Sequence, residues 1–228
     1  MNISVVVIAR NEEKYIEECL KRLYNQTIKA EIIVVDGHSA DRTFSIAKRY
    51  ADKVLTDNGQ GVSDARNVGW KAAKGDVIAY CDADCLPSKD WIENISKLMD
   101  ENICISGPLY PYDGDAMMKM SYKFWTNLVT RAFGFIGLQY VWGPNMAIKK
   151  SVLKKHPFKT RILEDYDLAR RIRSSGRMRY FKDMVMPVSS RSLKHGFHLS
   201  MIRFYARNFL RLRFGYEEKI GGYWQKEK

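Results

Sequence analysis

From residue 3 to residue 106, short apolar runs rich in Val and Ile alternate with stretches whose apolar residues recur at helical spacing. That alternation constrains the fold more than any other feature of the chain. The strands read as residues 3–9, 31–36, 53–55, 76–81 and 103–106. Between them, Asn11 is expected to cap a first helix, with Glu12 and Glu13 in its positive first turn and Ile16, Cys19, Leu20, Leu23 and Tyr24 at helical spacing. Ser39 or Asp41 opens a second helix through Phe44, Ala47 and Tyr50. Ser63 caps a third, and Ser88 caps a fourth bearing Trp91, Ile92, Ile95, Leu98 and Met99. Strands alternating with helices specify βαβ units, so the expected fold class is α/β, a mainly parallel sheet with flanking helices. Ligands of such sheets bind beyond the carboxyl ends of the strands. Here that means residues 9–12, 36–39 and 82–84.

The second half is less regular. It reads as a Met- and aromatic-rich helix over 117–135, a turn at 142–145 before a strand over 146–149, and a helix over 165–174 stopped by Gly176. A strand over 178–182 and an amphipathic helix over 197–214 follow. No repeat and no Gly/Ser/Pro linker divides the chain. The 228 residues therefore read as one domain over 1–190 with a basic helical appendage over 191–228. The apolar start is cut short by Arg10, Asn11 and Glu12, which suits a buried strand better than a leader peptide. No stretch reaches the ~18–20 apolar residues of a membrane span. Cys19, Cys81, Cys85 and Cys104 contain no C-x-x-C pair and read as buried, reduced thiols. Cys81 and Cys85 flank two aspartates, but the other ligands of a zinc site are missing.

The chemistry concentrates at 77–84, where an apolar run delivers Asp82 and Asp84, two residues apart, to the edge of the sheet. Hard divalent cations take carboxylate oxygens and leave room for water and phosphate. Read in order, six segments resemble family-2 glycosyltransferases of the GT-A fold: residues 4–12; Val34-Val35-Asp36-Gly37-His38-Ser39-Ala40-Asp41; Ala65-Arg66-Asn67-Val68-Gly69; Gly75-Asp76 with the aspartate pair; Gly143-Pro144-Asn145-Met146-Ala147-Ile148; and Glu164-Asp165-Tyr166-Asp167-Leu168. The resemblance covers residues 3–182. It implies a metal-dependent, inverting hexosyltransferase that uses a UDP-linked sugar, Mg²⁺ or Mn²⁺, and a glycan or lipid-linked hydroxyl acceptor.

Carried over by position, the resemblance gives Asp165 the role of general base and Glu164 that of orienting it. Ala9, Glu12, Asp36, Arg66 and Asp82 contact the nucleotide, and Asp82 and Asp84 hold the metal. Trp142, Gly143 and Asn145 line the donor and acceptor pocket. Plain structural roles stand beside these: Asp36 as a helix cap, Glu12 and Glu164–Asp165 as charge at helix starts, and Arg66 as a solvated arginine. Gly37 and His38 depart from the family's Asp-Asp-Gly-Ser pattern, which leaves the choice of base open. His195 is either a late metal ligand, as in some members of the fold, or a surface histidine. Arg191 and Lys194 either neutralise a diphosphate or are solvated.

Charge adds a second theme. Residues 1–114 carry 14 basic and 18 acidic residues, net −4, whereas residues 115–228 carry 24 and 8, net +16. Arg203, Arg207 and Arg211 form one stripe on the 197–214 helix. The stripe suits an anionic membrane surface or a solvated face of a packed helix. The expected location is cytoplasmic, or peripheral on the cytoplasmic membrane face. A polyprenyl- or dolichyl-phosphate sugar synthase is the alternative within the fold. Its phosphate nucleophile is already ionised and has no need of Asp165. A nucleotidylyltransferase would show a Gly-rich loop where Ala9-Arg10-Asn11-Glu12 stands, and no nucleic-acid motif accompanies the positive charge.

Overall fold

The computed structural model describes residues 1–135, 141–159 and 163–193. Strand β1 (Ile3–Ala9) is buried along its whole length. It lies between β2 (Glu31–Asp36) and β4 (Val77–Asp82), parallel to both, and β3 (Lys53–Thr56) extends the sheet beyond β2. The continuous Val/Ile runs follow from this position, because a strand covered on both faces has no solvent side to make polar. Helices α1 (Ile16–Tyr24), α2 (Thr43–Ala47), α3 (Val62–Ala72) and α4 (Trp91–Leu98) supply the crossovers.

Beyond β4 the direction reverses. β7 (Met146–Lys149) pairs antiparallel with both β4 and β5 (Cys104–Ser106), and β8 (Met178–Tyr180) closes that edge parallel to β5. The sheet order is β3-β2-β1-β4-β7-β5-β8. A separate two-stranded ribbon joins β6 (Leu109–Pro111) to β9 (Met186–Val188). Helices α5 (Ala116–Phe135), α6 (Lys150–Lys155) and α7 (Glu164–Ile172) complete the described chain. Two cores result. Val5, Val7, Leu20, Trp91 and Ile95 belong to the cluster on one face of the sheet, and Val6, Val35, Trp70, Tyr80 and Leu168 to that on the other.

Several expected helix starts are corrected. Asn11 does not cap α1, which begins at Ile16; Asn11 takes a left-handed φ of 55° and its side-chain oxygen accepts from Ala40 N–H. Glu12 and Glu13 precede the helix, and Glu17 and Glu18 occupy its first turn. Of the two candidates for α2, Asp41 is the one used: Thr43 N–H donates to its Oδ1 at 2.9 Å. Ser63 lies inside α3, whose cap is Gly61. At α4 it is the carbonyl of Ser88, not its hydroxyl, that accepts from Trp91 N–H. Antiparallel β7 and the short β6, β9 and α6 had no counterpart in the sequence reading beyond the span of β7 itself. The 197–214 helix, with Arg203, Arg207 and Arg211, lies outside the described residues, as do Lys194 and His195.

Candidate active site

The parallel strands end together, and the candidate residues follow them. At the end of β1, Ala9 C=O accepts from Gly37 N–H at 2.8 Å, which ties the first loop to the second. Asp36 closes β2 and accepts from Ser39, at 3.0 Å from N–H and 2.5 Å from Oγ. Two residues on, His38, part of the departure from the family pattern, holds a left-handed φ of 60°. Its Nε2 sits 3.1 Å from the carbonyl of Asp57, an acid just past β3 that the sequence reading did not single out. Asp82 ends β4 and Asp84 follows it.

Arg66 of α3 is the hub of the site. Its side chain is only 3% exposed, so it is not the solvated arginine of the plainer reading. It donates to Gly143 C=O at 3.0 Å and lies 3.8 Å from Asp82 and 3.4 Å from Glu164. Burial works against its charge, but Glu164, Asp82 and Asp165 together outweigh that and hold the guanidinium protonated. A Cβ at residue 143 would collide with that guanidinium, so any larger residue there would displace Arg66 from its place. Arg66 thereby joins the aspartate pair after β4 to the acids at the start of α7.

Asp165 accepts from Gly143 N–H at 3.1 Å and from Tyr166 N–H at 2.8 Å. Burial, with the neighbouring Glu164 charge next, pushes its carboxyl up to about 7. Burial likewise raises Asp82 to about 7 against the pull of Arg66, and raises Asp84. The Asp82 side chain is 31% exposed, yet its Oδ1 is enclosed. Glu12 is also pushed to about 7 by burial, opposed by Arg191, which donates to it. No hydrogen bond from the described residues reaches Glu12 Oε2 or Asp82 Oδ1. Buried, crowded carboxylate oxygens without donors suit a hard cation. Among the described residues no three His, Cys, Asp or Glu side chains form a ready-made cage. The site thus fits a cation held by one or two carboxylates and completed by phosphate oxygens.

Asn145 is placed differently from the expectation. It is fully buried, donates to Met184 C=O at 2.6 Å and Pro108 C=O at 3.3 Å, and accepts from Trp91 Nε1 at 3.1 Å. With every polar atom engaged behind the site, it is a staple between loops and not a pocket residue. Trp142, half-buried, stays next to Gly143, and its N–H donates to Ser106 Oγ at 2.9 Å. Tyr15 lies against Arg191 and Asp113 against Ser190, while Asp57 pairs with His38 beyond β2 and β3. Only Asp57 carried a legible signal, its place just after a strand. The four cysteines are buried and free, with Cys19 and Cys81 sulfurs 3.8 Å apart beneath the aspartates, and burial pushes Cys85 up to about 11. Protonated, enclosed thiols match the reduced-thiol expectation.

A mainly parallel sheet with acids gathered beyond its carboxyl edge is the frame of a GT-A glycosyltransferase. The family model described as Glycosyl transferase family 2 matches residues 4–156, and the chain belongs to that family. Among curated relatives, glycosyltransferase AglE of Haloferax volcanii is 31% identical over 140 residues, 55% of this chain and 45% of that protein. The poly(ribitol-phosphate) beta-N-acetylglucosaminyltransferase TarS of Staphylococcus aureus is 33% identical over 111 residues, 45% of this chain and 19% of that one. The chain therefore spans less than half the length of these relatives. A crystal structure of glucosyl-3-phosphoglycerate synthase from Mycobacterium tuberculosis with Mn²⁺, UDP and phosphoglyceric acid superposes with a TM-score of 0.70 at 18% identity, covering 96% of this chain and 80% of that one. S. aureus TarS 1-349 with UDP-GlcNAc gives 0.66 at 22%, covering 84% and 59%. At those identities the likeness is one of fold. No helix among the described residues is long and apolar enough to cross a membrane.

Proposed function

We propose that this chain transfers a hexosyl group from a UDP-linked sugar to a hydroxyl acceptor, with inversion at the anomeric carbon. The observation that carries the reading is the Arg66 hub, which brings donor-side Asp82 and acceptor-side Glu164–Asp165 into one charged cluster. In this reading Asp36 and Ala9 border the nucleoside, and Asp84 with Asp82 holds Mg²⁺ or Mn²⁺. When bound, that cation offsets the charge that develops on the departing diphosphate. The acceptor oxygen attacks C1 as the C1–O bond to the diphosphate breaks, and the acceptor proton passes to Asp165. A carboxyl raised to about 7 and fixed by Gly143 N–H suits that exchange near neutral pH. A phosphate acceptor would have no proton for Asp165 to take, so the raised carboxyl favours a hydroxyl over a polyprenyl phosphate.

The reading extends to an anionic membrane face as the place of work. Net charge of +16 over residues 115–228 supports it. So does α5, which exposes Met117, Met120, Phe124 and Leu128 along one side beside the exposed Lys123. The catalytic unit runs at least to Arg191, which bonds back to Glu12 and Asp84. The test is a screen of UDP-sugars for thermal shift and for UDP release with Mn²⁺ or Mg²⁺, repeated after chelation. Stabilisation by at least one UDP-sugar, lost with EDTA and restored by Mn²⁺, is expected. Indifference to every nucleotide-sugar would sink the reading.

A further inference from the structure

The cation side of the site already holds a positive charge. Arg191 donates to Glu12 Oε1, its Nε lies 3.2 Å from Asp84 Oδ2, and its guanidinium sits 4.9 Å from the Tyr15 ring centre. The two carboxylate side chains are 9% and 11% exposed, whereas Arg191 is 38% exposed. The acids are thus walls of the site, and the guanidinium enters from its rim. The backbone behind it is pinned. Ser189 N–H donates to Asp84 C=O at 3.2 Å, Ser190 N–H to Asp113 Oδ1 at 2.5 Å, and Ser189 Oγ to Asp113 Oδ2 at 3.2 Å. A rotation of the Arg191 side chain alone frees the Asp84 carboxylate.

We propose that Arg191 is an exchangeable internal counter-cation, which fills the Glu12–Asp84 pair while the donor is absent and passes to the donor's diphosphate when a divalent cation takes Asp84. The proposal rests on the nucleotide-sugar reading above. A divalent cation needs carboxylate oxygens at about 2.0–2.2 Å, and a guanidinium fork already on those oxygens both occupies and repels it. A bare cation must therefore evict Arg191 and leave it unpaired. A nucleoside diphosphate changes that balance, because its oxygens accept the same planar fork. Cation and diphosphate then help each other to bind, by equal factors in both directions. Arg191 is a positioning residue in this scheme: it sets the order of assembly and orients the diphosphate without touching C1.

The test measures Mn²⁺ binding to the full chain at pH 8 from the free-Mn²⁺ paramagnetic resonance signal, with and without UDP. Wild type is expected to bind Mn²⁺ weakly alone and about tenfold or more tightly with UDP. R191M is expected to bind Mn²⁺ alone about tenfold more tightly than wild type, and to lose most of the gain from UDP. R191K keeps the charge without the fork or the ring contact, so it should fall between them. A merely structural arginine would not yield tighter cation binding when removed. Should R191M fail to fold, the direction of the R191K shift decides. If UDP still tightens Mn²⁺ binding in wild type while R191M, or R191K in its place, binds Mn²⁺ alone no better than wild type, the exchange is overturned and the donor reading survives. If wild type takes up no Mn²⁺ even with UDP, both fall together.

Discussion

At the scale of single residues, Asp165 has the most to reveal by titration. Its carboxyl, raised to about 7, is protonated in the folded protein below that pH and must ionise to accept a proton. Transfer should rise with pH through about 7. Asp165→Asn should lower it by about 10²–10⁴-fold at pH 8 while the fold persists. Stability runs the other way. A folded-state value above the unfolded one adds stability below the unfolded pKa, near 3.9, and that contribution is lost as pH rises through about 7. Asp165→Asn should therefore melt above wild type at pH 8, with the gap roughly halved at pH 5.5 and closed only near pH 4. Thermal melts at pH 8 and pH 5.5 check this; an equal gap at both would place the titration elsewhere. Arg66 makes the complementary case. Replacing it by Met leaves Asp82 and Glu164 facing each other in an enclosed site, and should cost about 3–5 kcal/mol in urea unfolding. Arg66→Lys keeps the charge but not the fork that reaches Gly143 C=O as well, so it should recover only part of the loss.

At the scale of elements, the turn before β7 holds the second half onto the first. Asn145 closes it by bonding the loop after β5, the loop before β9 and α4 at once. Asn145→Ala strands the Trp91 indole N–H and the Met184 carbonyl in the interior, whereas Pro108 C=O keeps its bond from Met186 N–H, and it should cost about 1–3 kcal/mol for each group left unsatisfied. The loss should appear as a lower urea midpoint with an unchanged slope. This turn also shows where sequence was legible and where it was not. The apolar runs of β1 and β2 and the helical spacing of α5 gave bounds within a residue of those observed, because continuous burial leaves a long pattern. β6 and β9 are three residues each, contain Pro111 and Pro187, and are too short for any period to register. The antiparallel sense of β7 depends on a distant partner, so its four residues do not encode it. Helix starts were misread for a related reason: Asn11 spends its side chain on the loop after β2, a contact nearly thirty residues away that no local capping rule contains. The site followed the same division. Asp82, Asp84 and Asp165 were readable because motifs place them. The staple role of Asn145 was not, because a buried amide and a pocket amide look alike until their partners are known.

At the scale of the molecule, the two halves differ by twenty charges. An excess of +16 over residues 115–228 acts at a distance as well as by contact, so it should draw the chain to any extended anionic surface. The apolar side of α5 adds what charge alone lacks, since Met117 and Met120 are 71% and 70% exposed and Phe124 62%. Anionic vesicles should therefore pellet the protein at low salt, and neutral vesicles should not. Screening separates the two contributions: a purely electrostatic attachment fades as the Debye length falls from roughly 10 Å at 0.1 M to 3 Å at 1 M, whereas inserted side chains hold on. Replacing Arg203, Arg207 and Arg211 by Gln should weaken the low-salt attachment several-fold. Met117→Ser with Phe124→Ser should remove the part that survives salt. The double serine variant should transfer sugar to a soluble acceptor at the wild-type rate, because Met117 and Phe124 stand on the exposed side of α5. Equal pelleting with neutral and anionic vesicles, or salt-insensitive binding by the double serine variant, would show that neither charge nor α5 governs the attachment.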